Sequence, residues 1–174
     1  MGEELHLRGA KVRLDSFTEA DLAPAYLAWL NDPEVVRFSN QRFHRHDMTS
    51  CRDYLRSFQG SDNAFLSVKT LDGQPIGTMT VYRSKHHGTA DVGIMIGERS
   101  FWGGGYGWDA WNTLMNWLIE QPDIRKVTAG TLACNKGMVR LMERSGMALE
   151  GSRRGQELVD GTPQDILLYG KFAR

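Results

Sequence analysis

Apolar residues alternate with polar ones at Leu5, Leu7, Val12 and Leu14, a period of two that predicts a strand or hairpin over Leu5 to Leu14. The period then changes. Ala23, Tyr26, Leu27 and Leu30 recur at helical spacing behind the capping pair Thr18 and Asp21, so a helix is predicted there, with Pro24 near its start. Asp32-Pro33 reads as an N-cap with a first-turn proline and predicts a short helix through Val36. Asp47 caps a predicted helix from Met48 to Phe58. Strands are predicted over Ala64 to Leu71, Ile76 to Tyr82 and Ala90 to Gly97, with Asp72-Gly73 turning the first into the second.

In the second half, Trp111, Leu114, Met115 and Leu118 form a stripe at the helical period. Lys126 to Ala133 is strand-like. Asn135 caps a helix carrying Met138, Leu141, Met142 and Ser145, and Gly146 stops it. Gly151 to Val159 and Gln164 to Phe172 read as a closing hairpin around Asp160-Gly161. The order β, α, α, β, β, β, α, β, α, β, β indicates an α+β fold, a mixed sheet with helices on both faces. No repeat or linker interrupts it, so residues 1–174 are read as one domain.

Composition narrows the function. Hydrophobic residues make up 41% of the 174, enough for a packed core. Lys plus Arg number 21 and Asp plus Glu number 21, which removes the basic footprint of a general nucleic-acid binder. No apolar run approaches the ~18–20 residues of a membrane span, and the acidic start lacks the apolar stretch of a secretory signal. Two cysteines, Cys51 and Cys134, are too few for a disulfide scaffold. A cytoplasmic monomer or homodimer with neither nucleic-acid nor membrane partners is expected.

Glycine is concentrated at one place, with Gly103, Gly104, Gly105 and Gly107 falling between a predicted strand and a predicted helix. Such a loop lets successive backbone N–H groups converge on a phosphate at a helix N-terminus. A dinucleotide fingerprint is partly met by Gly105, Gly107 and Ala110, but the next strand ends in Ala133, Cys134 and Asn135 without the required acid. A nucleotide P-loop would need Gly-Lys-Ser/Thr, and Gly107-Trp108-Asp109 supplies none.

The residues around this loop resemble a known family. Ala90 to Gly97 (ADVGIMIG), Glu98 to Ala110 (ERSFWGGGYGWDA) and Asn135 to Gly151 (NKGMVRLMERSGMALEG) are similar to the acyl-CoA-binding core of GCN5-related N-acetyltransferases (GNAT). With Trp29 to Phe38 (WLNDPEVVRF) and the tail Gly151 to Asp165, the chain resembles the branch of ribosomal-protein N-terminal, spermidine and amino-sugar-nucleotide acetyltransferases. Trp102 stands where that family usually has Arg or Gln, Gly104 where a basic residue is usual, and Met138 where Ser or Ala is usual. Met147 replaces a Phe, and Met142 occupies the place of a tyrosine acid found in many members.

The resemblance implies a mostly antiparallel twisted sheet of about seven strands whose central parallel pair splays apart. It implies acetyl-CoA as acyl donor, no metal, and transfer to a small-molecule or peptide amine by direct attack. The pantetheine arm would lie along the backbone of Ile94, Met95 and Ile96, in a bulged strand whose free N–H faces the thioester carbonyl. The resemblance further assigns Trp102, Gly103, Gly104, Gly105, Tyr106, Gly107, Trp108, Asn135 and Met138 to the cofactor, with Asn135 near the thioester. Asp91 falls at an acidic position from which water relays a proton. His86 and His87, in the loop just before, could take that part, histidine being a common proton acceptor. Trp29, Asn31, Arg37, Phe38, Gln41 and Arg42, from the first helices and loops, are the substrate-side candidates, with His87 beside them. His44 and His46 lack a third ligand at metal spacing.

An alkyl ammonium of pKa ~10.4 sits about 3.4 units above pH 7, an α-ammonium at ~7.7–8.0 about one. Arg37 and Arg42 suit an anionic or peptide substrate better than a polyamine. A protein N-terminal α-amine or an amino-sugar amine is therefore the expected acceptor. The rival reading is an acyl-CoA-binding module without catalysis.

Overall fold

The computed structural model describes residues 4–174, in which eight strands form one sheet. They are β1 (His6–Arg8), β2 (Val12–Ser16), β3 (Ala64–Thr70), β4 (Pro75–Ser84), β5 (Thr89–Ile96), β6 (Lys126–Leu132), β7 (Ala148–Val159) and β8 (Thr162–Phe172). Between them lie α1 (Pro24–Leu30), α2 (Met48–Arg56), α3 (Tyr106–Glu120) and α4 (Lys136–Arg144). The sheet order is β1-β2-β3-β4-β5-β6-β8-β7, and β5-β6 is its one parallel pair. The expected count of about seven strands becomes eight because Leu5 to Leu14 divides into β1 and β2. β7 starts at Ala148, ahead of the expected Gly151.

Two cores lie on opposite faces. The α3 stripe of Trp111, Leu114, Met115 and Leu118 is fully buried against Val12, Leu14, Val68 and Val127, with Met142 of α4 beside it. Trp111 Nε1 donates to Ser145 Oγ (3.0 Å), whose hydroxyl donates to Met142 O (2.9 Å), so α3 is tied to the end of α4. On the other face Tyr26, Trp29 and Leu30 of α1 and Cys51 and Leu55 of α2 pack on Phe17 and Phe65.

Two helical expectations near α1 are corrected. The Thr18–Asp21 pair caps a single 3-10 turn, Glu19–Asp21, and α1 begins later, with Pro24 in its first turn. Asp32-Pro33 opens no helix: Val35 and Val36 N–H both reach Asp32 O (3.1 Å), and the chain then turns away. One helical bond does not repay the entropy of fixing a first turn.

Pairing within the parallel couple places the site. β5 and β6 are in register only from Thr89–Asp91 against Lys126–Thr128. Beyond that point β5 stays on β4 as far as Ile96, and β6 stays on β8 as far as Leu132. A wedge opens between them toward the glycine loop.

Candidate active site

Strand alternation decides which backbone groups face the wedge. Gly97 N–H donates to Ile76 O (2.8 Å), so odd-numbered positions of β5 direct their amides at β4; of the even ones, the Val92 amide lies at the last pairing with β6, and Ile94 and Ile96 direct theirs at the gap. Two expectations change. Met95 spends its backbone groups on β4, and its role in the cleft is as lining. The β4–β5 register also runs unbroken from Gly77 to Ser84, so β5 carries no bulge. The free groups arise because β6 leaves, and no extra residue is inserted.

At the wide end of the wedge, Gly103 and Gly105 have φ of 77° and 84°, the left-handed region that favours glycine. A Cβ at Gly103 would meet nothing within 4 Å, so the loop's outer face is an open cradle. Gly105 is the N-cap of α3 and offers no side chain to it. The N–H groups of Tyr106, Gly107 and Trp108 have no acceptor within the helix and no other backbone partner among the described residues. That arrangement fits a pyrophosphate.

Two residues outside the glycine run build this end. The Asp109 carboxylate accepts from the N–H groups of Ala10 (3.1 Å), Lys11 (2.7 Å) and Val12 (2.9 Å), which clamps the β1–β2 turn against α3. Lys11 Nζ then donates to Gly104 O (2.9 Å) and lies 5.3 Å from the Tyr106 ring centroid. Sequence reading missed Lys11, because the contact spans 93 residues and the charge comes from a strand end. It restores a cation beside the glycine where the family's usual basic residue is absent. Trp108 is held from the other side, with the Arg144 guanidinium 3.9 Å from its ring centroid.

A cavity of about 590 Å³ follows the wedge, lined by Val92 to Ile96, Trp102, Gly107, Asn135, Met138 and Leu141, among others. Asn135 Oδ1 accepts from Met138 N–H (3.3 Å), the capping bond, and its Nδ2 is left over. Met142 is fully buried in the core and lines none of the cavities described. Trp102 Nε1 donates to Ile96 O (2.7 Å), which occupies one of that carbonyl's two lone pairs and ties the end of β5 to the loop.

A second cavity, about 360 Å³, lies on the α1–α2 face and shares Ser39, Gly93, Ile94 and Met95 with the first. Tyr26, Gln41, His46, Ser50, Cys51, Tyr54, Phe65, Thr78 and Thr80 are among its walls, and no Asp, Glu, Lys or Arg is. Burial pushes the Tyr26 and Tyr54 phenols and the Cys51 thiol up, so all three are neutral near pH 7. His46 Nε2 is shielded from solvent and has no hydrogen-bond partner. Burial and the neighbouring His44 hold its imidazole below the usual range, against the pull of Asp47.

The substrate-side candidates fall in different surroundings. Trp29 is buried in the core, with Nε1 donating to Glu98 Oε1 (2.9 Å). Asn31 uses both amide atoms on the His46 backbone, accepting from its N–H (2.8 Å) and donating to its carbonyl (2.9 Å). Arg42 donates to Ser39 O (2.7 Å) and Leu158 O (2.8 Å). Arg37 and Phe38 line the first cavity, and Arg37 lies 3.9 Å from Asp160. His87 sits in the β4–β5 turn, where its carbonyl accepts from Arg125 Nε (2.6 Å), away from these cavities, and His86 adjoins it. Only Gln41 of the set reaches the second cavity. Helix α1 brings Tyr26 and Leu30 to the second cavity, and the loop after it adds Ser39 and Gln41.

Asp91 marks the point where β5 and β6 part. Its Oδ2 accepts from Thr128 Oγ1 (2.7 Å), and it lines a third cavity that touches the first at Phe38, Gly130 and Thr131. Although Asp91 is exposed as a residue, partial desolvation where the strands part raises its carboxyl above the usual range, offset in part by the Thr128 bond.

Residues 11–148 match the family model described as acetyltransferase (GNAT) domain. The aminoglycoside N(6')-acetyltransferase type 1 of Klebsiella pneumoniae is 25% identical over 153 residues, covering 81% of this chain and 76% of that protein. RimL, a ribosomal alpha-N-protein acetyltransferase solved in complex with coenzyme A, superposes with a TM-score of 0.83 at 16% identity, covering 98% of each chain. Spermidine N-acetyltransferase from Vibrio cholerae, solved with CoA and spermine, has a TM-score of 0.83 at 16% identity, covering 93% of this chain and 95% of its own. These likenesses to solved structures concern the fold. Among the described residues no helix is long and apolar enough to cross a membrane.

Proposed function

The chain belongs to the acetyltransferase (GNAT) family, and from that premise we propose that it moves an acetyl group from acetyl-CoA to a primary amine, favouring a protein N-terminal α-amine or an amino-sugar amine over a polyamine. The observation that carries this reading is the junction of two cavities at Ser39 and Gly93 to Met95. One side suits an extended thioester and the other an amine, and the reacting atoms meet through the gap that β6 leaves. Direct attack in a ternary complex needs such a geometry.

Acetyl-CoA supplies the activated carbonyl and a thiol leaving group. The N–H groups of Gly103 to Trp108 and the Lys11 ammonium bind the pyrophosphate. The Val92 carbonyl and the backbone groups of Ile94 would meet the pantetheine arm, and Asn135 would add its free amide N–H. The Ile94 N–H is the donor placed to meet negative charge on the thioester oxygen.

The acceptor preference rests on the second cavity. A polycation would need carboxylates there, and the walls offer hydroxyl, amide and aromatic groups instead. Relatives are named for an aminoglycoside, for the alpha-amine of a ribosomal protein and for spermidine, so the preference stands on the cavity walls alone. Cytoplasmic placement is part of the same reading, and the unbridged Cys51 and Cys134 support it.

Thiol release from acetyl-CoA, followed against N-terminal peptides, amino sugars and spermidine, tests the proposal. We expect kcat/KM at least tenfold higher for one of the first two classes. Spermidine as best substrate would overturn the preference, and silence across the panel would favour a binding module without catalysis.

A further inference from the structure

We infer that His46 Nε2 is the proton acceptor for the incoming amine, an assignment that rests on the N-acetyltransferase reading above. His46 lines the second cavity, whose wall includes Gly93, Ile94 and Met95, the residues at the junction with the thioester side. Among the described residues its Nε2 is the one buried side-chain nitrogen or oxygen without a hydrogen-bond partner. A buried polar atom left unpaired is costly, and a ligand that satisfies it recovers that cost.

A base at Nε2 needs the imidazole hydrogen on Nδ1, the tautomer that suits its neighbour. Ser50 Oγ lies 3.5 Å from His46 Nδ1. The hydroxyl already donates to Asp47 O (3.0 Å), so toward the imidazole it can only accept. With the hydrogen placed on Nδ1, the lone pair is left on Nε2, an atom with almost no exposed surface on a residue that lines the cavity. The ring is held there by its backbone, through the paired bonds to Asn31 and the Asp47–Ser50 capping box of α2. These bonds do not involve the ring, so a change of side chain leaves the loop anchored.

No other group in the cavity competes. The Tyr26 and Tyr54 phenols and the Cys51 thiol remain protonated near neutrality, and the charged neighbours along the loop are Arg45 and Asp47, with His44 beyond. Asp91 lies in the third cavity with one oxygen engaged by Thr128. In the reaction one ammonium proton passes to Nε2, and the imidazolium gives it up to solvent after the amide departs. The nitrogen then bonds to the acyl carbon as the C–S bond breaks, and its second proton ends on the sulfur. An imidazole base is better matched to an α-ammonium at ~7.7–8.0 than to an alkyl ammonium at ~10.4.

The test uses His46→Gln and an amine that wild type acetylates. At pH 7 we expect kcat/KM to fall by ~10²–10⁴-fold, the usual range for a lost general base. The deficit should close as pH approaches the amine's own pKa, with acetyl-CoA affinity by calorimetry unchanged. A loss under threefold at pH 7, or a deficit equal at every pH, would overturn the assignment. Nitrogen-15 spectra of histidine-labelled wild type give a reading independent of turnover. A His46 ring protonated at Nδ1 is expected, and one protonated at Nε2 would refute it. If wild type acetylates no amine, the enzymatic reading itself fails, and that outcome is distinct from an active His46→Gln variant.

Discussion

Trp102 and Ile96 are joined by a 2.7 Å bond from the indole N–H to the backbone carbonyl, across the mouth of the cleft between β5 and β6. The indole sits 45% exposed beside the glycine loop, yet its one donor is used inward. It therefore acts on the strand end and has no donor left for a cofactor.

Trp102→Phe separates these roles. Losing the bond should lower stability by about 1 kcal/mol, read as a fall of a few degrees in Tm. Acetyl-CoA affinity should stay within threefold, since Phe retains the apolar wall. A tenfold loss of affinity in calorimetry would mean that the indole contacts the cofactor itself.

The phosphate end gives a graded series. Gly105→Ala meets only Lys11 atoms at 3.8 Å or beyond, so its cost is the positive φ, about 1–2 kcal/mol of stability. Its affinity for acetyl-CoA should be little changed. Gly105→Asp adds a negative charge beside Lys11 and the pyrophosphate and should weaken binding at least tenfold. Lys11→Met should also weaken binding, and should flatten its dependence on salt, because the lost contact is ionic. Unchanged affinity in a folded Gly105→Asp protein would remove the glycine loop from the cofactor site.

What the chain discloses locally and what it hides differ in range. The glycine cluster, the Asn135 cap and the α3 stripe are local patterns, and all stand where their spacing puts them. Lys11 and His46 are invisible to spacing. Lys11 reaches Gly104 only because Asp109 clamps the turn, and His46 gains its environment from a loop fixed by Asn31. Periodicity also could not tell that Trp29 faces inward, since a half-polar surround reads alike in a core and in a substrate wall. The divergence of β5 from β6 is a tertiary event, so a bulge was a natural but unnecessary expectation.

Met142 illustrates a family position with a new duty. Packed in the core, it should accept Met142→Leu at under about 1.5 kcal/mol, with turnover within a few-fold. Met142→Tyr adds volume and a hydroxyl to the α3–α4 core and should destabilise by roughly 1–3 kcal/mol without raising the rate. Chemical denaturation and steady-state kinetics measure both. A hundredfold loss of turnover in a well-folded Met142→Leu protein would place this residue at the reacting atoms.

Asp91 offers the sharpest pH argument. Partial desolvation raises its folded carboxyl above the ordinary value of 3.8, so the unfolded chain releases this proton first as pH rises. Folding is then favoured less as pH climbs through that window, and the carboxylate's cost persists at pH 7. Below the unfolded value both states are protonated and the cost vanishes. Asp91→Asn keeps an oxygen for the Thr128 hydroxyl and removes the charge, so its Tm should exceed wild type at pH 7 and converge with it near pH 3. Catalysis supplies the second half of the test. If His46 takes the proton, pH–rate curves of wild type and Asp91→Asn should run parallel and within a few-fold. If Asp91 works through water instead, its variant should lag most at low pH and recover above the amine's pKa, while His46→Gln stays close to wild type. Parallel curves with a raised Tm would make Asp91 a strained strand-end carboxylate, sited by the parting of β5 and β6 and silent in proton transfer.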